Sequence, residues 1–168
     1  FLQFKKYWFW YWEIKSTSRS YSSQQEILLD WETQTKLGKP LSYILGQWAF
    51  YQDLFWVTEQ VLTPRPETEI MVEKCLQEIN DRKSKSAKTL NIAEIGVSSG
   101  AVILSVLLNS PVPLNATLTD ISDAAIQCSK NNFFSKKYYF PHSHQVNFLL
   151  TDLTHGLPLQ EFDLILCN

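Results

Sequence analysis

The residues of this chain best placed to do chemistry are Glu94-Ile95-Gly96-Val97-Ser98-Ser99-Gly100, Asp120, Asp152 and Asn168. Gly96 to Gly100 separate a strand-like run from an apolar helix-like run. Small residues there let a ligand approach the backbone, and a helix N-terminus carries N–H groups without intrahelical partners. Asp120 lies 24 residues past Gly96, where the next strand-like run ends. A carboxylate in that place can accept from ribose hydroxyls. Gly-x-x-x-Gly alone also fits a tight packing turn in any α/β protein. The succession of strand, turn, buried helix, strand and Asp favours a nucleoside cofactor instead. Ligands of parallel sheets sit beyond the carboxyl ends of the strands, and Gly96, Asp120, Asp152 and Asn168 all fall at or just past such ends.

Other constellations are weaker. His142-Ser143-His144 lacks a third metal ligand at useful spacing, so a solvated loop is expected and no metal. Cys167, beside Asn168, ends an apolar strand and is expected to be a buried, inert thiol. Phe133, Phe134, Tyr138, Tyr139 and Phe140, with Lys130, Lys136 and Lys137, could stack single-stranded nucleic acid. Packing on the sheet edge is the simpler reading. Asn115-Ala116-Thr117 is a glycosylation sequon by chance. Cys75, Cys128 and Cys167 are odd in number and widely spaced, which fits a reducing compartment.

These residues need elements to position them. A helix is expected over 22–37, with Ser23 and Glu26 as a capping box and Gly38 and Pro40 ending it. A hairpin is expected over 47–58, turning at Gln52-Asp53. A second helix runs from Pro66 to Asn80, with Met71, Val72, Cys75, Leu76 and Ile79 on one face. Residues 81–88 form a polar linker. Strands at 89–95, 116–120, 146–151 and 162–167 alternate with helices at 101–108 and 123–132, the latter capped by Ser122. This alternation implies a parallel sheet.

Composition sets limits. The chain has 168 residues and a net charge of −2, so bulk charge does not grip nucleic acid. No apolar run reaches the roughly 18 residues of a membrane span. The aromatic run 7–12 is too short for one and lacks a cleavage site for a signal peptide. All six Trp lie in residues 1–56, and no aromatic residue lies in 57–132. Two units with different packing are therefore expected.

Two further segments carry a resemblance: Pro40-Leu41-Ser42-Tyr43-Ile44-Leu45-Gly46 and Thr63-Pro64-Arg65-Pro66-Glu67-Thr68-Glu69. With the glycine turn and Asn168, they make residues 22–168 resemble the HemK-type peptide chain release factor glutamine N5-methyltransferases, which use S-adenosylmethionine (SAM). Residues 1–21 match nothing in that family. The resemblance implies a partial helical domain (1–45), a hairpin connection (46–65) and a Rossmann-like methyltransferase domain (66–168) that holds the first half of the family's sheet. It implies that Gly96, Val97, Ser98, Ser99 and Gly100 surround the methionine moiety of SAM and Asp120 takes the ribose. Leu153 would line the adenine site. Asn168 would open the family's Asn-Pro-Pro-Tyr motif, serving catalysis, substrate binding and the cofactor. The chain departs from the family at Ser98, where members have Gly, and at Val97, where they have Thr or Cys. Residues Pro-Pro-Tyr do not follow Asn168 in this sequence.

The chemistry the resemblance implies is specific. An amide nitrogen is a poor nucleophile because its lone pair is delocalised. Asn168 Oδ1 and the carbonyl of the following residue would accept the two amide N–H groups. That would turn the lone pair toward the methyl group and stabilise developing charge. Proximity and orientation are worth up to roughly 7–11 kcal/mol in well-aligned systems. The implied substrate is the Gln of a Gly-Gly-Gln motif in a release factor. The implied enzyme is monomeric, with no nucleic acid or membrane partner, in bacterial cytoplasm or an organelle matrix. Alternatives are methylation of a base amine in DNA or RNA, and a non-catalytic fragment that binds a partner.

Overall fold

The computed structural model describes residues 24–83, 89–157 and 161–168. The aromatic run 7–12, the Ser23 cap and linker residues 84–88 lie outside the described residues. The chain divides into two compact units between Gly46 and Gln47. In the first unit, α1 (Gln24–Lys36) matches the expected first helix. A short helix α2 (Leu41–Leu45) follows Pro40, inside a stretch not expected to be helical. Pro40 cannot continue a preceding helix but is allowed where one begins. Gly46, at φ +71, closes α2 by donating its N–H to Ser42, a conformation that suits glycine.

The second unit opens with the hairpin β1 (Gln47–Phe50) and β2 (Asp53–Trp56). Phe50 pairs with Asp53, so the turn is Tyr51-Gln52, one residue earlier than expected. Tertiary anchors set this register. Tyr51 N–H donates to Glu69 Oε1 at 2.7 Å, and the Asp53 carboxylate meets Lys136 Nζ at 2.5 Å. Lys136 also lies 4.7 Å from the Phe55 ring centroid. A nearly buried ammonium needs such partners. A 3₁₀ turn (Pro66–Thr68) then leads into α3 (Glu69–Lys83), with Pro66 in the first turn as expected.

The four-stranded sheet consists of β3 (Leu90–Ile95), β4 (Leu114–Asp120), β5 (Gln145–Leu150) and β6 (Leu164–Cys167). Its order is β5-β4-β3-β6 and all its pairs are parallel. Helix α4 (Ala101–Asn109) is buried from Ala101 to Leu107, as its all-round apolarity predicts. Helix α5 (Asp123–Lys136) begins at Ser122, whose Oγ accepts the Ala125 N–H. The core joins Val72 and Ile79 of α3, Ile103 and Leu107 of α4, and Ile92 and Leu118 of the strands.

Helix α5 runs to Lys136, four residues beyond the expected Asn132. Asn favours helix ends when its side chain bonds nearby backbone. Here Asn132 is fully buried and spends its amide on distant groups, so the helix continues past it.

His142 and His144 do not form the solvated loop expected of them. His144 is half-buried. Its Nδ1 accepts the Leu114 N–H and its Nε2 meets the Leu107 carbonyl, both at 3.0 Å. The ring therefore bolts β4 to the end of α4 as a neutral tautomer. Burial, followed by the neighbouring His142, holds its pKa below 6.5, against the Leu107 hydrogen bond. The stability this group contributes is present above the unfolded value and lost as pH falls through the lower folded value. His144→Leu is expected to cost about 1–3 kcal/mol and to remove that acid-side loss. Thermal unfolding across pH 5–8 measures both.

Phe133 stacks on Phe140 at 5.5 Å and meets Phe148 edge-on at 5.8 Å, while Phe134, Tyr138 and Tyr139 stay exposed. The aromatic cluster is thus part packing and part surface. The Asn115 amide donates to Asn91 Oδ1 from within β4, a place no glycan could reach. Cys167 is exposed, contrary to expectation. On β6 it alternates with buried Leu166, and it shares a face with exposed Ile165. Cys75 and Cys128 are buried, and burial pushes their thiols up to about 12 and about 11.

Candidate functional site

The residues singled out from sequence gather at one end of the parallel sheet. Gly96 follows β3, Asp120 ends β4, Asp152 and Leu153 follow β5, and Asn168 follows β6. Thr151 N–H donates to the Asp120 carbonyl at 2.9 Å, which draws the turn carrying Leu153 beside the Asp120 backbone. Leu153 has φ +48 and is 64% exposed.

The turn from Gly96 to Gly100 is tied down mainly by the end of β4. The N–H groups of Gly96 and Val97 both donate to the Thr119 carbonyl, at 2.9 and 2.8 Å, and Gly100 N–H donates to the Val97 carbonyl. Ser98 N–H donates to Asp120 Oδ2 at 2.9 Å. The N–H groups of Gly96, Val97 and Ser98 are therefore spent on β4, and that of Gly100 on the turn itself. Val97 and Ser99 are buried, so they support the turn from beneath, while Gly96 is exposed and Ser98 half-buried. Gly96 has φ +77, and a Cβ there would meet nothing within 4 Å. Gly100 is different: at φ +80, its Cβ would stand 3.1 Å from both Leu104 and Ser129, so glycine lets α4 and α5 approach.

Ser98 stands at φ +51, a left-handed conformation that costs a side-chain residue about 1 kcal/mol or more. Its hydroxyl donates to the Leu62 carbonyl at 3.4 Å. The departure from glycine thus brings a contact with the segment ahead of Pro64. Asp120 is oriented on both oxygens, since Oδ1 accepts the Ser122 N–H at 2.9 Å while Oδ2 holds Ser98.

Beneath the turn, Glu94 is buried and its Oε2 accepts the Ile103 N–H at 3.2 Å. Gly100 has no side chain to cap α4, and Glu94 takes over part of that work. Burial pushes the Glu94 carboxyl up to about 8, with the Ile103 hydrogen bond opposing and the Asp120 charge adding. A folded pKa raised above the unfolded value contributes stability that is complete below about 4.5 and lost as pH rises through about 8. Glu94→Gln is expected to flatten that alkaline-side decline, which urea unfolding at pH 5, 7 and 8.5 reads directly.

The sequence reading missed Asn132 and Ile121, and it saw Glu69 only as part of the Thr63–Glu69 segment. Asn132 bonds both the Trp56 backbone and the Ser99 carbonyl. Glu69 holds the hairpin turn. Ile121, 71% exposed just past Asp120, adds apolar surface at the same sheet end. Only Ile121 left a signal in sequence, an aliphatic residue where a strand stops at a carboxylate.

No family model matches the chain. A release factor glutamine methyltransferase of Flavobacterium psychrophilum is 38% identical over 147 residues, which are 84% of this chain and 48% of that protein. One of Fusobacterium nucleatum is 34% identical over 157 residues, 93% of this chain and 40% of that protein. The chain is a homologue of the release factor glutamine methyltransferases. It spans about half the length, or less, of these curated relatives. The resemblance drawn from the Arg65-Pro66-Glu67-Thr68-Glu69 segment to release factor glutamine methyltransferases therefore holds across most of the chain. Among solved structures, a SAM-dependent methyltransferase of Agrobacterium tumefaciens superposes with TM-score 0.51 at 16% identity, over 68% of this chain and 35% of that one. A putative class I SAM-dependent methyltransferase of Listeria monocytogenes gives 0.50 at 14% identity, over 88% and 39%. The fold is the Rossmann-like α/β fold of SAM-dependent methyltransferases.

Proposed function

We propose that the complete protein transfers a methyl group from SAM to the side-chain amide nitrogen of the Gln in a release factor's Gly-Gly-Gln motif. The observation that carries this reading is the placement of Asn168. It leaves β6 at the same sheet end where the Gly96–Gly100 turn leaves β3, and β3 and β6 are hydrogen-bonded neighbours. An amide acceptor and the glycine turn thus leave neighbouring strands, and the homology to release factor glutamine methyltransferases supports the choice of substrate class.

The residues fit SAM. Gly96 leaves open space that a side chain would fill. Asp120 is held by one backbone N–H on each oxygen, so each keeps a lone pair for a ribose hydroxyl. Leu153 and Ile121 supply apolar surface for adenine, and Gly96, Val97, Ser98, Ser99 and Gly100 surround the methionine moiety. When bound, the cofactor supplies an electrophilic sulfonium methyl. Asn168 accepts an N–H of the substrate amide and holds its nitrogen in line.

We place the protein as a monomer in a bacterial cytoplasm, or in an organelle matrix if the source is eukaryotic, acting on protein without a nucleic-acid or membrane partner. Among the described residues no helix is long and apolar enough to cross a membrane. The test is mass spectrometry of a release factor incubated with SAM and the complete protein. A gain of one methyl on the Gly-Gly-Gln glutamine is expected. An unmodified glutamine, or transfer of label to nucleic acid instead, would overturn the reading.

A further inference from the structure

We propose that Thr68 is a positioning residue for Asn168, an inference that rests on the glutamine-methylation reading above. Asn168 Nδ2 donates to Thr68 Oγ1 at 3.4 Å, across 100 residues of sequence. Thr68 is itself well held. Its N–H donates to the Arg65 carbonyl at 3.0 Å within the 3₁₀ turn. Pro64 and Pro66 restrict the backbone on either side of Arg65. The next residue, Glu69, accepts the Tyr51 N–H at 2.7 Å, and Leu62 upstream accepts the Ser98 hydroxyl at 3.4 Å. The strap from Leu62 to Glu69 therefore touches the cofactor turn near its start and the amide residue near its end.

Asn168 needs such a hold. Rotation about its terminal side-chain bond exchanges Oδ1 with Nδ2, so a polar partner must choose between them. A substrate amide presents two N–H donors and must be met by Oδ1. An Nδ2 group turned toward it would set donor against donor. The bond to Thr68 engages the donor end of Asn168 and leaves Oδ1 for the substrate. In the observed contact the Thr68 hydroxyl is the acceptor, which keeps Oδ1 clear of it. Because the strap is anchored at both ends, the hydroxyl is in place before substrate arrives, and orientation of this kind acts on the transfer step rather than on binding.

The experiment uses the complete protein with Thr68→Val, which removes the hydroxyl at nearly constant volume, and Thr68→Ser, which keeps it. T68V is expected to lower kcat at least tenfold, leaving KM for the release factor and the SAM Kd within twofold. T68S is expected to stay within threefold of the parent in kcat. Wild-type kcat in T68V would overturn the proposal. So would an equal loss in SAM affinity or in T68S, since the residue would then serve the fold. A second measurement does not depend on activity. The Asn168 side-chain NH₂ pair is assigned by NMR from its disappearance in Asn168→Asp. T68V should move this pair to free-amide shifts while T68S does not, and an unchanged pair in T68V would overturn the contact. If the parent protein fails to methylate a release factor, only the functional reading falls, and the NMR comparison still decides for or against Thr68.

Discussion

Asn168→Ala in the complete protein is expected to lower kcat for glutamine methylation by roughly 10²–10³, the usual effect of removing one preorganised polar partner of a transition state. The nitrogen of an amide becomes nucleophilic only when its lone pair leaves conjugation with the carbonyl, and positive charge then gathers on its N–H groups. An acceptor fixed at those groups interacts more strongly in the transition state than in the bound substrate. Alanine removes that acceptor, and its smaller side chain adds no steric strain. The SAM Kd should change far less than kcat, since Asp120 and the Gly96 turn lie on β4 and β3. Single-turnover transfer of labelled methyl, read beside calorimetry with SAM, separates the two. A kcat within threefold of the parent would remove Asn168 from the mechanism.

The second large effect is expected at Asn132, where Asn132→Ala should destabilise the protein by about 2–4 kcal/mol. Its Oδ1 accepts the Trp56 N–H at 2.7 Å, and its Nδ2 donates to the Trp56 carbonyl at 2.9 Å and the Ser99 carbonyl at 2.8 Å. The side chain is fully buried. It meets Trp56 as a neighbouring strand would, taking one donor and one acceptor of the same residue, and ties the hairpin to the cofactor turn. Truncation strands these groups and leaves a cavity. A fall in Tm of roughly 10 °C is expected, with faster hydrogen exchange at the Trp56 amide. The SAM affinity should drop as well, because the Ser99 carbonyl loses its anchor. A Tm within 2 °C of the parent would show that water replaces the bonds at no cost and that the hairpin is held by other contacts.

Sequence alone determined what depends on neighbours along the chain. The Ser122 cap, Pro66 at a helix start and the wholly apolar α4 are local facts, settled by backbone stereochemistry and by periodicity. The parallel sheet follows from strands alternating with helices, because a parallel crossover requires an element between its strands. The placement of the glycine turn and Asp120 at one end of the sheet was legible for the same reason, since the turn follows β3 and Asp120 ends β4. Only the tertiary structure decided what long-range polar groups do. The partners of the Asn132 amide, the His144 ring, the Glu69 carboxylate and the Thr68 hydroxyl carry no signature in sequence, since they lie 18 to 100 residues away. The hairpin register, the extra turn of α5 and the inward-facing N–H groups of the cofactor turn were all set by such partners. A hydrogen bond depends on where two atoms meet in space, and burial decides its worth. Hydrophobic pattern can specify which elements form, but their packing chooses the polar groups that lock them and aim Asn168.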